Sequence, residues 1–152
     1  QYSRPFSALK VWVSLLAHGW NAYERRIAHD IALAEYLHEL VLADPELQSM
    51  SEPGLSITCF RYVPADLAGD TTEESYLDDL NERIMFELQL DGRVFPSNAI
   101  IGDRFALRTC VVNFRTEAPT MDLVASETVR IGRILDAELR STAARRPNGE
   151  TS

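Results

Sequence analysis

The chain has 152 residues, 45% of them apolar and 25% charged, the proportions of one soluble globular domain with a real core. A formal net charge of -8 argues against a nucleic-acid partner, because neutralising phosphates needs concentrated basic side chains. There is no apolar run of membrane-spanning length and no signal-peptide pattern at the start, so a cytoplasmic protein without a membrane partner is expected.

After a lead-in from Gln1 to Pro5, Ser7 is placed to cap a short helix running to about Leu16. Leu9, Trp12, Val13 and Leu16 form its main stripe, and Val11 and Leu15 give it a second apolar side. Such a helix packs against more than one neighbour, as an arm wedged between domains or against a second subunit does. His18-Gly19 breaks it. Asn21 with Glu24 has the pattern of a capping box, opening a long helix to about Leu42 with Ile27, Ile31, Ala34, Leu37 and Val41 on its apolar face. Arg25, Arg26, Asp30, Glu35 and Glu39 fall on its polar side.

Asp44 to Pro53 reads as a loop with room for a short turn at Glu46 to Met50, and Leu55 to Tyr62 as a strand. In that strand Leu55, Ile57 and Cys59 point one way and Ser56, Thr58, Phe60 and Tyr62 the other. Beyond a loop from Pro64 to Thr72, Thr71 and Glu74 suggest a second capping box. The helix that follows runs to about Leu90 with Leu77, Leu80, Ile84 and Leu88 as its stripe, and Asp91-Gly92 ends it. Val94 to Ile101 is strand-like, with Pro96 arguing for an edge or a bulge. Gly102-Asp103 turns the chain into a third strand from Phe105 to Val112, so the second and third strands form a hairpin. After a connection at Glu117 to Pro119, Thr120 or Asp122 caps a last helix to about Ala144, with Val124, Ile131, Leu135 and Leu139 as its core stripe; Arg145 to Ser152 reads as a disordered tail.

These elements make an α+β domain: a small antiparallel sheet of about three strands, covered on one face by long helices and preceded by a helical arm. The divisions expected are the arm over residues 1–19, the small domain over 20–144 and the tail over 145–152. Cys59 and Cys110 fall inside strands, where a small buried hydrophobe is the simpler reading than a disulfide or a nucleophile. His18, His29 and His38 have neither metal-ligand spacing nor a place beside either cysteine, which leaves no metal site and no Cys-His or Ser-His enzyme. Arg108 is the odd residue of the third strand. It shares a face with Ala106, Cys110 and Val112, and its guanidinium needs a carboxylate, a phosphate or an exit to solvent.

Two stretches carry a resemblance. Leu107, Arg108, Cys110, Val112, Asn113, Arg115 and Thr116 spell L-R-x-C-x-V-N-x-R-T, which resembles the closing segment of the group II pyridoxal-phosphate-dependent amino acid decarboxylases, the aromatic amino acid and glutamate decarboxylase group. Arg4 to Trp12 resembles that family's R-x-x-x-A-L-K-x-W. The likeness runs from Arg4 to about Leu139 and implies the C-terminal small domain of a type I pyridoxal-phosphate fold. It departs from the family at Phe114, where proline is frequent.

The resemblance implies a parent enzyme that decarboxylates L-amino acids, works as a homodimer and holds pyridoxal 5'-phosphate on a lysine. Lys10 is the only lysine here, and its place in A-L-K-x-W is not that of the cofactor lysine, which is expected upstream of Gln1 in a missing large domain. No catalytic residue and no bound cofactor are therefore expected in this chain alone. Arg108 matches the family arginine that reaches the substrate carboxylate. Asn113 and Thr116 are read as turn and cap residues holding the strand end, and Arg4 and Lys10 as interface or cap ion pairs ahead of ligand contacts. The competing expectation is a stand-alone small α+β binding or regulatory domain without enzyme activity; Arg108 inside a closed pocket would favour it, and Arg108 facing outward would favour the fragment.

Overall fold

The computed structural model describes residues 6–70 and 72–145. The lead-in, Thr71 of the second expected capping box and the tail beyond Arg145 lie outside the described residues. The order of elements is α1 (Ser7–His18), α2 (Trp20–Ala43), β1 (Leu47–Ser49), β2 (Ile57–Tyr62), a 3-10 turn (Ala65–Leu67), α3 (Glu74–Asp91), β3 (Ser97–Ile101), β4 (Arg104–Cys110) and α4 (Ala118–Arg145).

The breaks fall where the sequence places them, but the caps do not. Gly19 has φ 76, a left-handed conformation that glycine adopts without cost, and it alone separates α1 from α2. With so short an elbow α2 begins at Trp20, so Asn21 is already helical and caps nothing; Ser7 is likewise the first residue of α1, behind Phe6. Glu73 precedes α3 with no side-chain cap. Thr120 and Asp122 lie inside α4, which starts earlier because Pro119 fits a first turn, where its missing amide is no loss. That helix also takes in Arg145, the first residue read as tail.

Four strands form one antiparallel sheet in the order β1-β2-β4-β3, one strand more than the sequence suggests. The additional strand, β1, lies in the stretch read as a loop. It has three residues, and only Leu47 is buried, so it shows no alternation to read. The β3–β4 hairpin turns at Gly102 and Asp103, with φ 57 and 64, the positive values a two-residue hairpin requires.

The helices α2, α3 and α4 cover one face of the sheet. Leu33, Ala34, Leu37 and Val41 of α2, Leu80, Ile84 and Leu88 of α3, and Met121, Val124 and Ile131 of α4 meet Phe60, Tyr62, Phe105 and Leu107 there. Ile27, assigned to this stripe by periodicity, is 56% exposed, while Asp30 from the expected polar side is buried. The other face carries a second, smaller cluster of Met50, Cys59 and Ala106, flanked by Ile57, Ala99 and Ile101. Cys110, expected to be buried, is exposed at the end of β4. The helix α1 buries none of its residues, and Val11, Trp12 and Leu16 lie open along it.

Tyr62 joins three layers. Asn81 of α3 accepts a hydrogen bond from its amide and donates one to its carbonyl, each at 2.8 Å, and its hydroxyl donates to Glu46 at 3.0 Å. Its ring lies flat against Gly132 of α4, where an added Cβ would sit 2.6 Å from Cγ and Cδ1. Alanine gains about 1 kcal/mol over glycine as a helix former, but overpacking against a fixed ring costs about 1–3 kcal/mol. Gly132→Ala is therefore expected to lower stability in a urea melt, whereas propensity alone predicts a gain.

Candidate functional site

The face of the sheet away from the helices presents three arginines in a field of small residues. Alternation along β4 puts Arg104, Ala106 and Arg108 on this side, and Arg61 and Cys59 of β2 join them. Two of the three are neutralised. Arg61, 2% exposed, donates to Glu74 at 2.6 and 3.2 Å and to Gln48 at 2.7 Å, and Arg104 lies 3.8 Å from the same carboxylate. Glu74 reaches round from the first turn of α3, where the helix dipole also favours an anion.

Arg108 differs from both. It is exposed and has no ion pair among the described residues. Its backbone is paired on both sides, to Cys59 of β2 and Ser97 of β3, which makes it the last residue of β4 held by both neighbours. Burial pushes the Cys59 thiol above its ordinary range, with the Arg108 charge acting the other way. The guanidinium thus projects from a rigid strand over small side chains. A planar, permanently charged fork in that setting suits a carboxylate or a phosphate brought from outside.

Past β4 the chain turns at Asn113. The Asn113 side-chain carbonyl accepts from the Arg115 amide at 3.0 Å, and its backbone carbonyl accepts from the Thr116 amide at 2.9 Å. The Arg115 guanidinium lies over the Phe114 ring, 5.2 Å from its centre. Phe114 also faces His18, Tyr23 and Arg26 across an apolar groove at the elbow between α1 and α2. Lys10 stands exposed on α1, remote in sequence from the strand face and without an ion pair among the described residues. Arg4 lies outside them.

The residues present do not fit a pyridoxal phosphate site. Such a site needs a lysine amine inside a cavity, and the one lysine of the chain is exposed on a helix that buries nothing. Among the described residues no group of three or more His, Cys, Asp or Glu could hold a metal, and no helix is long and apolar enough to cross a membrane.

Several partners here escape sequence reasoning. The Arg61–Glu74 pair spans two elements, and nothing in local pattern links them. Asp30 is paired with Arg26 four residues earlier, a spacing visible in the sequence, but periodicity gives no sign that the pair sits under the loop after β4.

The fold and the sequence have known counterparts. The pyridoxal-dependent decarboxylase conserved domain matches residues 1–63. An aromatic-L-amino-acid decarboxylase of Bacillus atrophaeus is 30% identical over 121 residues, covering 80% of this chain and 24% of that protein. Tryptophan decarboxylase 1 of Oryza sativa subsp. japonica is 29% identical over 108 residues, covering 71% of this chain and 21% of that one. The crystal structure of mouse CSAD in apo form superposes with a TM-score of 0.79 at 25% identity, over 87% of this chain and 29% of that one. That of Oryza sativa TDC with PLP and tryptamine gives 0.76 at 23%, over 87% and 28%. The chain spans about a quarter of the length of the curated relatives it matches.

The Arg61 hydrogen bonds hold the Glu74 carboxyl below its ordinary value of 4.5, with the Arg61 and Arg104 charges adding to the effect and desolvation opposing it. A carboxyl lowered by folding stabilises the fold above its unfolded value and loses that contribution as pH falls through the folded one. Glu74→Gln is expected to cost about 1–3 kcal/mol at neutral pH. It should also flatten the decline in stability below about pH 4.5, as read from denaturant melts across pH.

Proposed function

We propose, for a chain that belongs to the pyridoxal-dependent decarboxylases, that residues 20–144 form the C-terminal small domain of an L-amino acid decarboxylase whose larger part holds the cofactor. The single observation that carries this reading is Arg108, an exposed guanidinium on a doubly paired strand, unpaired among the described residues while Arg61 and Arg104 on the same face share Glu74. A stand-alone binding domain would be expected to enclose such a charge.

In this reading the sheet face that carries Arg108 turns toward the large domain, and Arg108 receives the substrate carboxylate. A pyridoxal phosphate held by the larger part of the enzyme would supply the electron sink for decarboxylation. Arg108 binds and orients the carboxylate, so its contribution is to positioning as much as to charge. Asn113 and Thr116 hold the turn after the strand. Residues 1–19, carrying Lys10 and the apolar sides of α1, dock as an arm on the rest of a cytoplasmic homodimer. That docking would account for Val11, Trp12 and Leu16 lying open, an apolar surface too continuous for a helix that faces water.

The test uses the complete polypeptide loaded with pyridoxal phosphate and a panel of L-amino acids that includes tryptophan and tyrosine, with carbon dioxide release as the assay. At least one substrate is expected. For it, Arg108→Ala should lower kcat/KM by about a hundredfold or more, the loss of a charged, bidentate contact, while the amine product competes as well as before because it has no carboxylate. No turnover of any amino acid, or an Arg108→Ala variant that loses amine affinity equally, would sink the reading.

A further inference from the structure

We propose that Arg26, clamped by Asp30, is a positioning residue for Arg108: it anchors the chain immediately beyond the strand from which Arg108 projects. The inference rests on the reading of Arg108 as the carboxylate-binding residue and adds a residue that the sequence places on a solvated helix face.

Pairing along β4 ends in two steps. Ser97 of β3 pairs with Arg108 and β3 goes no further; Ile57 of β2 pairs with Cys110, and Val111 donates one last bond to the Ser56 carbonyl at 2.8 Å. From Val112 to Arg115 the chain is exposed. Beyond the turn's own bonds at Asn113, what ties it to the helices among the described residues is a side chain from α2: Arg26 donates from Nη2 to the Asn113 carbonyl at 2.9 Å and from Nη1 to the Phe114 carbonyl at 3.1 Å. Two successive carbonyls taken by one rigid guanidinium fix both the place and the direction of the turn, which a lysine with a single ammonium cannot do.

The clamp is itself held. Asp30, one turn along α2 and 9% exposed, pairs with Arg26 Nη2. A carboxylate so placed lacks the water that an exposed one would have, so it keeps the guanidinium from swinging out. Three residues past Phe114, Glu117 lies 3.4 Å from His29 of the same helix, an ion pair only when that imidazole is protonated. Arg26 also lines the groove at the Gly19 elbow with His18, Tyr23 and Phe114. The start of α2, the turn at Asn113 and the strand end bearing Arg108 therefore form one connected unit.

The consequence for catalysis is geometric. A positioned group displaced by about 1 Å can lose on the order of a hundredfold in rate, and Arg108 stands at the last doubly paired position, beyond which only β2 holds the strand, as far as Val111, before the clamp takes over at Asn113. Freeing the turn should let the strand end move and misdirect the Arg108 guanidinium without removing it.

The experiment compares Arg26→Ala, Arg26→Lys, Arg108→Ala and the Arg26→Ala/Arg108→Ala double variant in the complete, cofactor-loaded enzyme. The probes are the amino acid of the panel that releases most carbon dioxide and its amine product. Arg26→Ala is expected to raise KM or lower kcat/KM for the amino acid by about tenfold or more, to leave inhibition by the amine unchanged, and to speed amide hydrogen exchange across residues 111–117. Arg26→Lys, with its charge kept and its fork lost, should restore only part of this. The double variant should be no worse than Arg108→Ala, because a misdirected group that is absent cannot be misdirected further. If Arg108→Ala is selective for the carboxylate while Arg26→Ala is silent, equally harmful to amine binding, or additive with it, the positioning role falls and the assignment of Arg108 stands. If Arg108→Ala is itself not selective, that assignment falls and takes the positioning role with it.

Discussion

Everything distinctive about this domain follows from a sheet that helices cover on one side only. Phe60, Tyr62, Phe105 and Leu107 send their side chains into the three helices, and the alternation of a strand then forces Cys59, Arg61, Ala106 and Arg108 to the other side. That second side has small residues in its middle and guanidinium groups toward its ends. A layer of large apolar residues there would call for another set of helices. Small ones allow the face to stay nearly closed by itself, with Ala106 fully buried and Cys59 almost so.

Charge on that face is distributed unevenly. Arg61 is sunk so far that it needs the complete set of partners it has in Glu74 and Gln48, since an unpaired charge at that depth is costly. Arg104 shares the same carboxylate at longer range. Arg108 lies at the opposite end and keeps its hydration instead. A guanidinium that remains wet in this chain and is placed on the most firmly paired strand combines availability with rigidity, two properties that recognition of a planar anion requires.

The same division separates the helices. Those that touch the sheet have one buried stripe each, whereas α1 meets only the start of α2 among the described residues, through Ser14 and Tyr23, and leaves Trp12 and Leu16 more than half exposed. The elbow at Gly19 lets α2 run into the domain while α1 leaves it. At that elbow Arg26 and Tyr23 meet the turn at Phe114, so the arm, the first long helix and the end of the central strand adjoin one another.

Much of this was legible without coordinates. The stripes of Leu77, Leu80, Ile84 and Leu88, the alternation of Thr58, Phe60 and Tyr62, the glycine breaks at 19 and 92 and the Gly102-Asp103 turn all lie in short windows of sequence, where period and backbone preference are set by neighbours a few residues away. The family resemblance was legible too, because its motifs keep their residues and order. The caps differ from the sequence expectation because a helix end is decided by what precedes it: one glycine between two helices leaves no room for Asn21 to cap, and Pro119 draws α4 back past Thr120. Strand β1 is not legible because three residues carry no period.

By itself, then, local sequence determined the long helices and the three longer strands, most of the apolar stripes, and the isolation of Arg108 among small neighbours. Only the tertiary structure decided which charges are satisfied and by whom. Glu74 meets Arg61 across thirteen residues, Arg26 meets Asn113 and Phe114 across nearly ninety, and Asp30 is buried on a face that periodicity assigns to water. Those pairings depend on how layers are stacked. Stacking is fixed by the whole core at once, and no local window of residues contains it.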